Sequence, residues 1–512
     1  MSGMRQKLQY SLALEPVDQS ETPISGYQGT EPFVAKPTPE SPASAEQLME
    51  EVCDRENLER AWKRVKRNKG SPGVDGMTID DAKAFLRQHW PNIRSQLLDG
   101  NYRPQPVKRV EIPKPDGGVR KLGVPCVVDR LIQQAVLQVL QERWDPTFSE
   151  HSFGFRPGRS AHQAVAQAQR YVADGYNVVV DLDLERFFDR VNHDILMSRV
   201  ASRIPDKRVL KLIRAFLNAG VLEDGLVRPV DEGTPQGGPL SPFLSNIVLD
   251  DLDKELARRG HRFCRYADDC NIYVRSLHAG ERVRASISRF LTDKLRLKVN
   301  EAKSAVARPE ERKFLGFSIA NDGSERRIAP KALDKFKDRI REITCRTRGI
   351  SLQQMIADLT PYLIGWRGYF GFCQTPRVLT NLEAWIRRRL RLYLWRQWRN
   401  GHNRFTELRR LGIAKFAASV AAGSPTGLWR MSGHPAVQHA LRNQVFDSLG
   451  LPRIFMPVQA QLDRTAVVRT RMPGGVGGVA SRDAPLSRSL TRSRHRSGQG
   501  NLVRRVNGGN NR

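Results

Sequence analysis

The chain has 512 residues, too many for one compact core and enough for two or three packed units. Its 84 Lys and Arg against 54 Asp and Glu leave +30, a charge that repels itself in isolation and is matched by a phosphate polymer, so nucleic acid leads the partner classes. The six cysteines (Cys53, Cys126, Cys264, Cys270, Cys345, Cys373) show no paired two-residue spacing, so neither a zinc ribbon nor a secreted disulfide framework is indicated; with no apolar run long enough to span a bilayer, a cytoplasmic protein with reduced thiols and no membrane partner is expected.

Residues 1–46 are rich in Pro, Ser, Thr and Glu and bury too little to offset ordering entropy, so they are read as a disordered leader. Residues 47–90 carry helical periodicity interrupted by Lys69-Gly70-Ser71-Pro72-Gly73-Val74-Asp75-Gly76, a helix, basic loop, helix pattern. Residues 107–124 read as two strands around Pro115-Asp116-Gly117-Gly118, and residues 127–144 as a helix. The β-branched run Asn177-Val178-Val179-Val180 has the signature of a buried strand and delivers Asp181-Leu182-Asp183 at its end. Helical stretches follow at 194–219 and 242–259. Residues 262–266 and 271–274 then read as strands, with Ala267-Asp268-Asp269-Cys270 at the bend.

From 326 to 415 the pattern changes to long helices, in which twenty-one Lys and Arg against six Asp and Glu give +15, half the net excess. Leu382, Ile386, Leu390 and Tyr393 form an apolar stripe there, with Arg387, Arg388, Arg389 and Arg391 largely off it and facing solvent or RNA. Trp385, Trp395 and Trp398 are assigned to core packing rather than base stacking. Beyond 457 the chain is Gly/Ser/Arg-rich and reads as a disordered tail.

Joining a nucleotide to a primer hydroxyl calls for two divalent ions about 4 Å apart, and carboxylates from neighbouring strands can hold both. Asp268 and Asp269 at a tight turn repel one another unless a cation stands between them, and Asp183 is the natural third ligand. The bland alternative is a pair of ordinary turn residues.

Tyr266-Ala267-Asp268-Asp269, preceded by Asp183-Leu184-Glu185-Arg186-Phe187-Phe188-Asp189, resembles the active site of reverse transcriptases, and more specifically that of group II intron-encoded reverse transcriptase/maturases. The resemblance implies an α+β right-hand polymerase, with fingers and an antiparallel palm sheet, followed by an α-helical thumb/maturase domain. It implies magnesium, as two ions, on Asp183 and Asp268 with Asp269 assisting. Asp181 competes with Asp183, but the family's aromatic steric gate five residues after the metal-binding Asp selects Asp183 through Phe188. The loop Gly233-Thr234-Pro235-Gln236-Gly237-Gly238-Pro239-Leu240-Ser241-Pro242 resembles the family's nucleotide-contacting loop, which makes Gln236 and Gly237 candidates; Lys114 and Arg120 flank the fingers turn toward the triphosphate.

The resemblance further assigns Tyr266 and Lys303 to support of the catalytic end, and Phe314, Leu315 and Gly316 to a primer grip. Arg156 and Arg159, in Ser152-Phe153-Gly154-Phe155-Arg156-Pro157-Gly158-Arg159-Ser160, are template contacts. Arg367, in the block Pro361 to Phe370, joins Arg387 and Arg388 on intron RNA. The implied domains are 47–175 (N-terminal extension and fingers), 176–325 (palm), 326–425 (thumb/maturase) and 426–456 (a short C-terminal segment like the ending of the endonuclease-free bacterial branch). Implied partners are group II intron RNA as template and splicing substrate, a DNA target or primer, and deoxynucleoside triphosphates. The rival readings are a retron or defence-type reverse transcriptase and a catalytically idle RNA-binding splicing factor.

Overall fold

The computed structural model describes residues 47–456 apart from 114–118, 224–225, 229–231 and 235–236, together with the backbone but not the side chain of Arg120. The expected leader, the tail, the fingers turn with Lys114, and Gln236 lie outside the described residues. Contacts divide the chain into two compact units, whose described parts are 47–329 and 330–456.

The first unit opens with helices α1 (Leu48–Val52), α2 (Arg55–Arg67) and α3 (Ile79–Leu98). Asp54 caps α2 by accepting from the backbone of Glu56 and Asn57, and Thr78 with Asp81 forms a capping box on α3, so local sequence sets both starts. The basic loop between them is folded onto helix α4 (Val127–Trp144): Arg130 Nη2 donates to Ser71 O at 2.7 Å, and a side chain at Gly73 would strike the Cys126 backbone. α4 is buried on nearly every face, which fits its run of Val, Leu and Ile.

Strands β1 (Val107–Pro113) and β2 (Val119–Val124) pair antiparallel, as the sequence led one to expect. A second antiparallel pair, β4 (Val221–Glu223) with β5 (Leu226–Arg228), completes a four-stranded sheet of order β2-β1-β4-β5. The second four-stranded sheet has the order β6-β7-β3-β8, built from β3 (Val178–Leu182), β6 (Arg262–Tyr266), β7 (Asp269–Val274) and β8 (Ala305–Ala307), with every neighbour antiparallel. β8 is three residues long and carries no periodic signal, so the sequence did not announce it.

Of helices α5 (Ala161–Ala173), α6 (His193–Ala201), α7 (Lys207–Leu217), α8 (Ser241–Arg258) and α9 (Leu277–Leu295), α5, α8 and α9 pack against the second sheet. The expected helix over 194–219 is two helices, because Asp206 starts a new one by capping the Arg208 N–H just after Pro205. Ile132, Val136, Leu140, Val180, Phe243, Ile247, Phe263, Ile272 and Leu291 belong to one continuous core beneath the second sheet. A hairpin of β9 (Phe317–Ile319) and β10 (Arg326–Ile328) closes the unit.

The second unit is helical. Its principal members are α10 (Pro330–Ile343), α11 (Leu352–Phe370), α12 (Pro376–Gln397), α13 (Gly401–Arg410) and α14 (Lys415–Ala422), followed by the short α15 (Leu428–Met431), α16 (Pro435–Ala440) and α17 (Asn443–Ser448). Leu382, Ile386, Leu390, Tyr393 and Trp395 are buried. All six cysteines are free thiols, four of them buried, and among the described residues no helix is long and apolar enough to cross a membrane.

Candidate active site

The β3–β7 register sets Asp181 opposite Asn271 and Leu182 opposite Cys270, so one further step brings Asp183 to the end of β7, where Asp269 stands. Directly opposed residues share a face and side chains alternate along a strand, which puts Asp181, Asp183 and Asp269 on one side of the sheet. Asp183 is held in place through its backbone: its N–H donates to Ser304 Oγ at 3.0 Å and its carbonyl accepts from Asn300 N–H at 2.8 Å. Tyr266 pairs with Asp269, leaving Ala267 and Asp268 as a two-residue turn. Asp269 and Cys270, expected at the bend, are instead the first two residues of β7.

Ala267 has φ +57, a left-handed backbone that an alanine adopts only under constraint. The constraint is Arg265. Its guanidinium is fully buried, pairs bidentately with Asp253 on α8 (Nε to Oδ1 2.7 Å, Nη2 to Oδ2 2.5 Å), and donates to Asn246 Oδ1, Ser152 Oγ and the Ala267 carbonyl at 2.8–2.9 Å. From the other side Gly154 presses on the turn so closely that a Cβ there would lie 2.3 Å from Ala267 N.

The acids carry uneven counter-charge. Arg312 forms an ion pair with Asp181 through Nη2 at 2.5 Å, with a second bond from Nε at 2.9 Å, and donates to the Lys303 carbonyl at 2.7 Å. Lys303 Nζ stands 3.8 Å from Asp183 Oδ2. Burial and the charges of Asp181, Asp268 and Asp183 push Asp269 up to about 8, against which Lys313 works only weakly. Burial also raises Asp181, with Arg312 opposing it.

Among the described residues no three His, Cys, Asp or Glu side chains close around a single point. Asp183, Asp268 and Asp269 set carboxylate oxygens at one end of the sheet, and such oxygen donors suit a hard divalent cation.

Phe188 lies next to this cluster in sequence, on a 3-10 turn, edge-on to Phe187 with centroids 5.2 Å apart. Its carbonyl accepts from Thr234 N–H at 2.6 Å, and Gly233, at φ +92, sits where any side chain would collide with that carbonyl. The Gly233 loop is thereby clamped to the Phe188 backbone. Past the undescribed Gln236, Gly237 at φ +133 packs against Gly123 O of β2 so tightly that a Cβ would lie 2.4 Å away, and Arg120 is on that same strand. Phe314 and Phe317 exchange two backbone hydrogen bonds around Leu315 (φ +52) and Gly316 (φ +83), a tight turn with Phe314 buried and Leu315 half-buried at the tip.

Two expected nucleic-acid contacts, Arg156 and Arg387, are corrected. Arg156 is buried and spent internally: Nε and Nη2 grip Asp145, and Nη1 donates to the carbonyls of Ser149 and Ser152. Arg156→Ala is accordingly expected to lower stability by about 2 kcal/mol in thermal or urea unfolding, the value of charge-assisted bonds, while leaving the salt dependence of RNA binding unchanged. In the second unit, Arg387 is buried between Glu383 and Asp447. Arg388 lies over the Trp429 ring at 4.2 Å and donates to Trp429 O and Ser432 Oγ. Both tie residues 429–447 onto α12, helped by Arg391 bonding Leu441 O and Asn443 Oδ1, so the buried Arg387 and Arg391 are structural while Arg388 stays half-exposed, and the 426–456 segment is part of this unit rather than an appendage.

Arg159 is exposed, and Arg367, half-buried, donates to Arg453 O at 2.8 Å. Arg265, Asp253, Asn246 and Arg312 were not picked out from sequence. An arginine in the apolar strand Phe263-Cys264-Arg265, immediately before the acidic turn, was the available signal.

Family models match two stretches of the chain: "Reverse transcriptase (RNA-dependent DNA polymerase)" at residues 112–319 and "Group II intron, maturase-specific domain" at residues 333–412. Protein YkfC of Escherichia coli K12 is 33% identical over 301 residues, covering 51% of this chain and 79% of that one. The group II intron-encoded protein LtrA of Lactococcus lactis is 38% identical over 206 residues, 40% of this chain and 34% of LtrA, so the match spans about a third of that relative. The Retron Mx65 reverse transcriptase of Myxococcus xanthus is 32% identical over 208 residues, covering 38% of this chain and 47% of its own.

Proposed function

Because this chain belongs to the reverse transcriptases encoded by group II introns, we propose that it copies intron RNA into DNA at the β6–β7 turn and also binds the intron RNA as a maturase, supporting splicing and retrohoming. The observation that carries the catalytic half is the register that gathers Asp183 and Asp269 beside Asp268 on one end of the palm sheet. Reverse transcriptases use divalent metal ions; in this proposal Asp183, Asp268 and Asp269 hold two magnesium ions, whose chemistry is to lower the primer hydroxyl's pKa and to neutralise the departing pyrophosphate. Asp181 is left out of the set because Arg312 occupies it.

The chain's own side chains do the rest by position. Phe188 packs against the sugar of the incoming deoxynucleoside triphosphate and excludes a 2′-hydroxyl. Gln236 and Gly237 line that nucleotide, with Arg120 and Lys114 toward its phosphates. Lys303 steadies Asp183, Tyr266 supports the primer end, Phe314-Leu315-Gly316 grips the primer, and Arg159 meets the template backbone. Arg367 and the exposed cations of the helical unit, such as Lys331, Lys335, Arg346, Arg377 and Arg396, meet intron RNA.

Extension of a DNA primer on an RNA template with magnesium and deoxynucleotides tests the polymerase; an inert wild-type protein would sink it. Splicing at low magnesium tests the maturase, which is wrong if added protein changes nothing. Phe188→Ala is expected to raise ribonucleotide incorporation relative to deoxyribonucleotide by roughly tenfold or more, the scale of a lost steric contact of 1–3 kcal/mol, read by competition between the two nucleotides on one template. The maturase-specific match at 333–412 favours the intron reading over a retron-type enzyme, and the complete acid set speaks against an idle splicing factor.

A further inference from the structure

Phe155 combines two features that each oppose folding. Its backbone is left-handed, at φ +58, which is unfavourable for a bulky aromatic, and its side chain is 48% exposed although Phe148 and Phe153 close by are buried. The residues around it are nonetheless rigidly placed. Gly154 is wedged against Ala267 and its carbonyl accepts from Asn246 Nδ2 at 2.8 Å, while Arg156 is locked into Asp145, Ser149 and Ser152. The Phe153 N–H donates to Arg265 O at 2.9 Å, so the loop runs alongside β6 up to the acidic turn. A loop fixed this firmly fixes what it displays. The displayed ring lies 6.3 Å from the ring of Tyr266, tilted by 43°, two residues before Asp268.

Strain and exposure held by surrounding structure point to a function outside the fold itself. We propose that Phe155 is a stacking platform for a base at the primer end of the bound primer–template duplex, making with Tyr266 a two-ring surface beside the catalytic turn. This rests on the polymerase reading of that turn. Base–aromatic stacking accepts every base because each has a π-face, which suits an enzyme that must advance through any sequence. A hydrogen-bonding residue at this place would favour some bases over others.

The test compares Phe155→Ala, Phe155→Leu and Phe155→Trp in the full chain. Binding of a fluorescent RNA–DNA primer–template is measured by anisotropy without nucleotide, and KM for the duplex and kcat are measured by extension. In Phe155→Ala, binding is expected to weaken about five- to hundredfold, with the loss falling in KM more than in kcat and the melting temperature held. Phe155→Trp restores binding, and Phe155→Leu, apolar but without a π-face, does not. Wild-type binding and KM in Phe155→Ala would overturn the platform, as would equal rescue by Leu and Trp. An inert wild-type protein would instead overturn the polymerase reading, and the anisotropy series would still decide whether Phe155 meets nucleic acid.

Discussion

Replacing Asp268 with alanine is expected to reduce primer extension on RNA by about a thousandfold or more without harming the fold. Metal-held charge stabilisation is worth several kcal/mol, and each 1.36 kcal/mol is about a factor of ten in rate. Stability should hold or rise, because Asp268 is partly exposed at the turn tip and is one of the anions that push Asp269 up to about 8. Removing that like charge lets Asp269 ionise at lower pH and relieves repulsion in the cluster. The measurement pairs extension kinetics with thermal unfolding of the same preparation. A fully active Asp268→Ala protein would refute the assignment. A protein that loses activity and melting temperature together would show that Asp268 acts on the fold and not on catalysis.

The parts of the site legible in sequence were those written in short, contiguous runs. The Val178-Val179-Val180 strand, the acidic turn, and the spacing from Asp183 to Phe188 each state a local conformation, and the structure brings Asp183 and Asp269 together through one strand register. What escaped was non-local. Arg265 reaches partners at positions 152, 246 and 253, and Arg312 reaches Asp181 from 131 residues away, pairings that periodicity does not encode.

The same blindness explains the misplaced arginines. Arg156 and Arg387 are indistinguishable by composition from RNA-binding residues, and only the partners folded onto them, Asp145 and Asp447, reveal them as struts. Net charge named the right partner class and overcounted the side chains free to meet it.

Arg265 allows the turn's geometry to be separated from the fold's stability. Arg265→Met leaves Asp253 buried and unpaired, which is expected to cost about 3–5 kcal/mol in urea unfolding. Lysine should not rescue it, since a single ammonium cannot reproduce a fork that serves Asp253, Asn246, Ser152 and Ala267 together. Adding Asp253→Leu to Arg265→Met removes the stranded carboxylate, and an apolar pair of suitable volume in place of a buried ion pair is often neutral, so most of the stability should return. Activity should not return with it. The Ala267 carbonyl has still lost its donor, the left-handed turn is no longer pinned, and displacement of a reacting group by about 1 Å is enough to cost on the order of a hundredfold in rate. If the double variant polymerises like wild type, Arg265 serves only to neutralise Asp253; if it is stable and slow, the buried guanidinium sets the aim of the catalytic acids.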